Sequence, residues 1–456
     1  MKKYDSIIIG TGQAGPSMAL KLAGKGEKVA IIERKFYGGT CVNNGCTPTK
    51  TLIASARAAH VSRNSSELGV AIEGNVKVDM KKVKARKDKI VQESTKGIEN
   101  ALKGMKNLDV YEGHGRFIDA HTIAVGDEQL QADKVYINVG GRARILEGAR
   151  EVKYLTNSSI MDIDFVPEHL IIIGGSYIGI EFGQMYSRFG SQVTIVEMSD
   201  RLIRREDEDV SVAVQEILQK EGVNIRLNAE CIKATQKGDK IKVEVNCDED
   251  GSDIIGSHLL LAVGRTPNTD DLGLDKAGIE TDQRGFIKVN EQLETNVKGV
   301  WALGDCNGKG AFTHTAYNDY EIVADNLLEN TDRKVSDRIT CYALYMDPPL
   351  ARVGMNEQQA KESGKKVLKG ERPMSRIARA KEKGETYGFM KILVEEDSQK
   401  LIGATILGVG GDEVIHSLLD VMYSEKPYTV ITHAMHIHPT VSELIPTVLG
   451  DLKPLE

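Results

Sequence analysis

Two cysteines offer the first chemistry in this chain. Cys41 and Cys46 stand five residues apart in Gly38-Gly39-Thr40-Cys41-Val42-Asn43-Asn44-Gly45-Cys46-Thr47-Pro48-Thr49-Lys50. A disulfide wants Cα atoms roughly 4.4–6.8 Å apart, and a helix rises about 1.5 Å per residue. A regular helix would therefore hold the two side chains too far apart and on different faces. A bond between them needs a distorted turn, which Asn43-Asn44-Gly45 tolerates. Thr47 and Pro48 read as the N-cap and first residue of a helix running on through Thr51 to His60. Cys46 then lies at a helix N-terminus, where the positive dipole end stabilises a thiolate. Near the other end stand His433, His436, His438 and Glu443. Their spacing, interrupted by Pro439, fits no helical zinc signature, so no metal is assigned. A histidine with an orienting carboxylate suits proton transfer instead.

The elements that must position these groups come in two similar units. Ser6–Ile9 reads as a strand, Gly10-Thr11-Gly12-Gln13-Ala14-Gly15 as a turn, 18–23 as a helix, and 28–33 as a strand ending in Glu33. This is the dinucleotide fingerprint in its required context: glycines admit a pyrophosphate to a helix N-terminus, and the acid accepts from ribose hydroxyls. The pattern returns as strand 169–174, turn Gly174-Gly175-Ser176-Tyr177-Ile178-Gly179, helix 181–189 and strand 192–197 ending in Glu197. Each acid stands 23 residues after the first glycine of its turn. Two such units imply two nucleotide ligands. Ser176 replaces a middle glycine but is small enough to preserve close approach.

Between and after these units the pattern is coarser. Residues 76–105 read as an amphipathic helix whose basic face (Lys81, Lys82, Lys84, Arg86, Lys87, Lys89) is a solvated surface. Short strands are expected at 108–111, 115–118, 122–125 and 134–139, the last running into Gly140-Gly141, and a helix at 207–221. Leu259-Leu-Leu-Ala-Val-Gly264-Arg265-Thr-Pro-Asn268 is a further strand and turn, and Val300-Trp-Ala-Leu-Gly304-Asp305 places an acid at a strand's C-terminal end. Ala311-Phe312-Thr313-His314 opens another helix, whose N-terminus favours a developing anion. Pro348-Pro349 marks a boundary, and residues from about 337 onward read as an α+β module without a nucleotide fingerprint.

Composition bounds the setting. A chain of 456 residues with net charge −7 and 5% aromatics implies several domains and favours neither nucleic acid nor an anionic membrane. Six cysteines are too few for a secreted disulfide scaffold. The N-terminus has no signal-peptide core, and no apolar run is long enough to span a bilayer. A cytoplasmic protein is expected, in which a cysteine pair is better suited to catalysis than to structure. Cys231, Cys247, Cys306 and Cys341 are isolated and read as structural.

Taken together, these residues resemble the pyridine nucleotide–disulfide oxidoreductases of the dihydrolipoamide dehydrogenase, glutathione reductase and mercuric reductase type. The likeness rests on the first glycine turn, Gly39-Thr-Cys41-x4-Cys46-x-Pro-x-Lys50, Tyr177-Ile-Gly-Ile-Glu181, Gly264-Arg-x-Pro-Asn268, Gly304-Asp305 and His438-Pro-Thr-x-Ser-Glu443. It implies an α/β fold with two Rossmann-like dinucleotide-binding domains, for FAD and NAD(P), and a C-terminal α+β dimerisation domain. The expected segments are 1–148 and 259–336 for FAD, 149–258 for NAD(P), and 337–456 for the interface of a homodimer. FAD would be held by Gly10, Gly12, Gly15, Glu33, Gly39, Thr40, Lys50, Gly140, Asp305, Thr313 and His314. The nicotinamide cofactor would be held by Gly174, Ser176, Tyr177, Gly179, Glu197 and Gly264.

The resemblance also implies roles. Cys46 faces the flavin as the charge-transfer thiolate, and Cys41 is the interchange thiol that meets substrate. Lys50 and Glu181 form an ion pair near the flavin's reactive nitrogen. Tyr177 gates the nicotinamide pocket. His438 and Glu443 form an acid/base dyad that reaches the cysteines from the other subunit. Glu197 favours NADH, while Arg201, Arg204 and Arg205 lie close enough in sequence to accommodate NADPH.

For the acceptor, Asn44, Thr47-Pro48-Thr49, Met346–Gly354 and Ser375–Ala380 lean towards mercuric-reductase-like and oxidant-defence or copper-reducing flavoproteins. Mercuric reductases commonly add an N-terminal metal-binding domain and a C-terminal cysteine pair. Neither is seen here, which argues against mercury hand-off. A reductase of metal ions or small oxidants is the expected function. Dihydrolipoamide dehydrogenase, which shares the His-x-His-Pro-Thr-x-Ser-Glu form, is the alternative. A non-catalytic flavin redox sensor is the remaining class, but it would need neither Glu443 nor the Lys50–Glu181 pair.

Overall fold

The structure is a computed structural model that describes residues 1–229, 232–245 and 253–455; Cys231 and Cys247 lie outside them. Its first unit is a five-stranded parallel sheet. The strands run in the order Val300–Ala302, Lys134–Ile137, Ser6–Ile9, Val29–Glu33, Leu108–Glu112. Ile7, Ile8 and Ile9 are all buried, as expected of a central parallel strand covered on both faces. Ile8 packs with helix α1 (Ala14–Gly24) and the residues of a later helix, while Ile7 and Ile9 pack on the other side with Phe117, Ile123 and Leu130.

After α1 come α2 (Gly39–Asn44), α3 (Cys46–Asn64) and α4 (Met80–Lys103). Asp79 caps α4 by accepting from the Lys82 amide. Its basic face is partly self-neutralised, since Asp88 pairs with both Lys84 and Lys87. Lys87, expected on that solvated face, is buried.

The second unit is a four-stranded parallel sheet ordered Asn224–Arg226, Gln192–Val196, His169–Ile173, His258–Leu261. One face carries α5 (Tyr177–Phe189) and α6 (Glu208–Lys220). The other packs against an antiparallel sheet of 232–237, 240–245 and 254–256. The chain then returns to the first sheet and enters α7 (Thr313–Glu329). The last unit is a six-stranded sheet ordered 341–344, 350–354, 401–407, 389–395, 367–373, 453–454, in which every pairing is antiparallel. Among the described residues no helix is long and apolar enough to cross a membrane.

Two departures from the sequence expectations have simple causes. Helices α1 and α5 begin four residues earlier than expected, at Ala14 and Tyr177. The last fingerprint glycine lies within the helix's first turn rather than before it. A Cβ on Gly15 would fall 2.2 Å from the Gly10 carbonyl oxygen, and one on Gly179 would fall 1.9 Å from that of Gly174. The strand Glu128–Gln131 was not expected, because Glu-Gln-Leu-Gln offers one apolar residue; it forms through pairing with 122–125 and Lys2–Lys3.

A charge network centred on the buried Arg188 ties the three units together beside α3 and α5. Arg188 of α5 pairs with Glu221 at 2.7 Å and with Asp347. Asp347 also binds Arg57 of α3, which reaches Glu385 at 2.6 Å. Removing both acidic partners of Arg188 would strand its buried guanidinium without compensation.

Candidate functional site

The site begins at the break between α2 and α3. Gly45 makes that break, with φ −135° and ψ −119°. A Cβ there would meet the Thr40 carbonyl oxygen at 2.7 Å and the Cys41 Cα at 3.2 Å. This close approach folds the start of α3 back towards Cys41. The distorted turn expected between the cysteines is thus a helix–glycine–helix kink. Cys46 is the first residue of α3 and Gly45 its N-cap, so the Thr47 cap expected from sequence does not form. Pro48 is accommodated because the first turn of a helix has no amide partner to lose.

Both cysteines are free thiols, and each shifts the titration of the other. The Cys46 Sγ also lies 3.0 Å from the Thr313 hydroxyl at the start of α7. Donation from Cys41 is the largest influence on Cys46. With the Thr313 hydroxyl and the Lys50 ammonium, it outweighs burial and lowers the Cys46 thiol to about 6. Cys41 is raised by the same hydrogen bond and by burial. The pair is therefore one thiolate and one thiol at neutral pH.

Lys50 stands one helical turn beyond Cys46, on the same face. Its Nζ lies 3.0 Å from both Glu181 carboxylate oxygens. Glu181 is buried and accepts a further bond, 2.9 Å, from the Tyr345 amide. The Lys50 ammonium also sits 4.5 Å from the centre of the Tyr345 ring.

The first glycine turn abuts this cluster. A Cβ on Gly39 would come within 2.9 Å of Gly12 Cα, so α2 packs directly on the turn. Thr40 is the next residue of α2, beside Cys41. Glu33 accepts from the Thr11 amide and hydroxyl at 3.0 and 2.6 Å, and from the Lys35 amide at 2.7 Å. Gly140 accepts from the Asn268 amide at 3.0 Å. Asp305 faces Arg265 at 3.3 Å, and burial raises its carboxyl. His314 lies at 2.7 Å from the Cys341 carbonyl oxygen and stacks on Phe312. Thr313 is placed at the Cys46 sulfur.

The second turn repeats the first. Glu197 accepts from the Gly175 amide at 2.6 Å and the Ser199 amide at 2.9 Å. Gly264 accepts from the Arg144 amide at 3.0 Å. Ser176 is the N-cap of α5 but makes no side-chain cap bond, and Gln13 at the start of α1 makes none either. Two helix starts at tight glycine turns, neither capped by the side chain of its own N-cap residue and each beside a strand-end carboxylate, fit two dinucleotide diphosphates. Tyr177 lies against Phe312 and Tyr342, with ring centres 6.2 and 5.6 Å apart.

His438 and Glu443 form the expected dyad, with Nδ1 3.0 Å from the carboxylate. That bond leaves Nε2 for another partner. The dyad lies in an exposed stretch where Met435 is 99% and Ile437 79% accessible.

The sequence reading missed four contributors: Asn138, Glu206, Tyr342 and Tyr345. Asn138 is buried, accepts from the Gly15 amide at 3.0 Å and donates to the Leu303 carbonyl at 2.9 Å. A polar residue inside Val135-Tyr-Ile-Asn-Val139 was a usable signal. Tyr342 and Tyr345 carried none, since their roles arise only when 341–344 packs beside α5. Cys306 is fully buried and its thiol is pushed up to about 12 by burial, in keeping with a structural role.

Known proteins match this chain over nearly its whole length. The family model described as pyridine nucleotide-disulphide oxidoreductase matches residues 4–319, and that of its dimerisation domain matches 340–449. The chain is 35% identical to a probable pyridine nucleotide-disulfide oxidoreductase, RclA, of Escherichia coli, covering 97% of this chain and 98% of that protein. It is 31% identical to a dihydrolipoyl dehydrogenase of Geobacillus stearothermophilus, covering 96% and 94%. It is 32% identical to a mercuric reductase of Lysinibacillus sphaericus, covering 91% and 76%. Among solved structures, the Cu(II) complex of the HOCl-induced flavoprotein disulfide reductase RclA from Escherichia coli superposes with a TM-score of 0.90. That match has 33% identity and covers 99% of each chain.

Proposed function

The chain belongs to the pyridine nucleotide-disulphide oxidoreductases, and from that premise we propose that its Cys41–Cys46 pair carries electrons from NADH to a metal ion or small oxidant. Membership makes it a flavin-dependent oxidoreductase that uses FAD and a pyridine nucleotide, built from two dinucleotide-binding domains and a dimerisation domain. The observation that carries the reading is geometric: Cys46 opens α3 beside Cys41, its sulfur 3.0 Å from the Thr313 hydroxyl, with the Lys50–Glu181 pair one turn further on. When bound, FAD supplies a two-electron relay between nicotinamide and sulfur.

The residues of this chain do the rest. Gly10, Gly12 and Gly15 shape the turn for the FAD diphosphate, with Glu33 for a ribose. Gly39, Thr40, Gly140, Asp305 and His314 line the remainder. Gly174, Ser176, Gly179 and Gly264 form the nicotinamide nucleotide's turn, and Tyr177 covers the way to the cysteines. Lys50, held by Glu181, places a positive charge beside the sulfur that is reduced. Two electrons and one proton convert the Cys41–Cys46 disulfide to the Cys41 thiol and the Cys46 thiolate. Two electrons then pass to one divalent mercuric ion or to two cupric ions, one proton leaves, and the S–S bond re-forms. Cys41 is the thiol that meets the acceptor. His438 of the partner subunit, oriented by Glu443, takes and returns its proton across a homodimer interface formed by 337–456.

Two observations support the finer choices. The Glu197 carboxylate, fixed at the second turn by the Gly175 and Ser199 amides, suits the free ribose hydroxyls of NADH and repels a 2′-phosphate. The likeness to RclA, a protein solved as a Cu(II) complex, favours a metal acceptor over lipoamide. The corresponding domain limits are 1–148 and 259–336, 149–258, and 337–456.

The test is a steady-state panel on the purified flavoenzyme. It compares NADH with NADPH as donor, and Cu(II), Hg(II), lipoamide and glutathione disulfide as acceptors. NADH-dependent metal reduction that disappears in Cys46→Ala is the expected result. Robust dihydrolipoamide oxidation by NAD with no metal response would establish the dihydrolipoamide dehydrogenase alternative.

A further inference from the structure

One buried carboxylate outside the cysteine cluster holds two of the aromatic rings that border it. Glu206, 2% exposed, accepts from the Tyr177 hydroxyl at 3.0 Å and from the Tyr342 hydroxyl through the same oxygen. Its other oxygen faces the buried Arg352 guanidinium at 3.3 Å. Arg352 in turn binds the Tyr342 hydroxyl at 3.2 Å and Gln359 at 2.9 Å. The Tyr342 ring stacks on Phe312, with centres 5.5 Å apart. Phe312 immediately precedes Thr313, which touches the Cys46 sulfur. The trio Tyr177, Phe312 and Tyr342 therefore lies between the second glycine turn and the reactive thiols.

The carboxylate is itself immobilised. The segment 205–209 is stitched to the last unit at several points. Glu357 donates its amide to Asp207 at 3.0 Å, and Arg352 and Asn356 bind the Arg205 carbonyl. The buried ammonium of Lys391 sits among Asp207 at 2.9 Å, Asp209 at 2.8 Å and Glu357 at 2.7 Å. A moving Tyr177 cannot carry Glu206 with it; it must break the hydroxyl bond.

We propose that Glu206 is a positioning residue for the nicotinamide step: it anchors the Tyr177 hydroxyl, with Tyr342, and so sets how often the ring clears the path from the second turn to the cysteines. This rests on the reading of Tyr177 as the cover of that path. A hydrogen bond to a charged acceptor is stronger than a neutral one. Closed rings lower the competent fraction, and apparent affinity falls by that fraction. Releasing the hydroxyl therefore raises apparent affinity for the nicotinamide ligand.

The experiment is a double-mutant cycle on the flavin-loaded dimer with Tyr177→Phe, Glu206→Gln and the double variant, read as KM and kcat for NADH and as the rate of flavin reduction. Tyr177→Phe keeps the ring and removes only the hydroxyl. The expected result is an NADH KM about tenfold lower, a change of ~1.4 kcal/mol, residing in KM rather than kcat. Glu206→Gln shifts KM in the same direction, and the double variant adds nothing further. Tyr342→Phe, which leaves the Glu206–Arg352 pair intact, gives a smaller shift of the same sign and serves if Glu206→Gln fails to fold. KM values within about twofold of the parent in both Phe variants, or effects that add in the cycle, overturn the proposal. Tyr177→Ala separates the two readings. If it leaves nicotinamide kinetics unchanged, Tyr177 is not the cover. If it changes them while Tyr177→Phe and Tyr342→Phe do not, the ring acts without its anchor.

Discussion

Lys50 and Glu181 meet at 3.0 Å from two helices of different origin: α3 grows from the cysteine kink and α5 from the second glycine turn. The contact fastens the helix that carries Cys46 to the helix that starts at the second turn. Replacing Lys50 by Met leaves the fold's larger clamp, Arg188 with Glu221 and Asp347, in place. Stopped-flow mixing with NADH should show flavin reduction slowed about a hundredfold, the scale of losing one preorganised electrostatic group. Glu181→Gln should show a smaller loss, with the ammonium still present but free to wander. An unaltered reduction rate in Lys50→Met would remove the pair from the mechanism.

Alkylation of the reduced enzyme should follow the Cys46 thiolate, rising with pH through a midpoint near 6. Deprotonation creates negative charge on sulfur, so donors to that sulfur lower the midpoint and their removal raises it. The Cys41 thiol is the largest such donor. Cys41→Ala should therefore move the midpoint upward further than Thr313→Val or Lys50→Met, towards the value near 9 of a free thiol. Peptide mapping of the labelled protein identifies which sulfur reacts. Preferential labelling of Cys41 at pH 7 would reverse the assignment.

Gly179→Ala isolates the second nucleotide site. A Cβ there would sit 1.9 Å from the Gly174 carbonyl oxygen, so the turn and the start of α5 must separate. The first glycine turn is a different structure and should keep FAD. The purified variant should be yellow, with a normal flavin-to-protein ratio, and its NADH-driven flavin reduction should fall by about 10² or more, the cost of ~3 kcal/mol in positioning. Chemical reduction by dithionite should be unimpaired.

The exposed pair Met435 and Ile437 flanks the His438–Glu443 dyad. Substituting both by Asp places charge on an apolar patch that a partner is expected to cover. Sedimentation should show monomers. Acceptor turnover should drop about a hundredfold, the usual worth of a positioned acid/base, while flavin reduction by NADH continues. Full turnover by a demonstrated monomer would show that the dyad does not act across subunits.

Much of this architecture was legible before any coordinates. The doubled pattern of strand, glycine turn, helix and acid gave both nucleotide units because close backbone approach leaves so few residue types available. The cysteine stretch gave the reactive pair for the same reason: Gly45 is required by the approach of Thr40 and Cys41. What was not legible depends on packing between distant segments. The Thr47 cap is a different case: the sharp local turn at Gly45 starts the helix at Cys46, before Thr47 can cap it. Glu206 sits in an unremarkable charged run, Arg204-Arg205-Glu206-Asp207-Glu208-Asp209, whose members look alike as a string. Only the arrival of 342–357 and Lys391 buries some of them and leaves others in solvent.

The two glycine turns differ at one position that has a kinetic meaning. The residue after strand 134–137 of the first unit is Asn138, and the one after strand 258–261 of the second is Ala262; each carbonyl meets the first glycine of its turn at 2.3–2.4 Å from an added Cβ. Asn138 braces its turn through Gly15 and Leu303, and it also crowds Gly12, where an added Cβ would lie 2.8 Å from its Oδ1. Ala262 has no side-chain amide to offer, which both leaves room for Ser176 and leaves the second turn without that strut. A turn held in its binding shape before the ligand arrives favours slow release. The asparagine is therefore expected to lengthen the stay of a nucleotide on the first unit relative to one on the second.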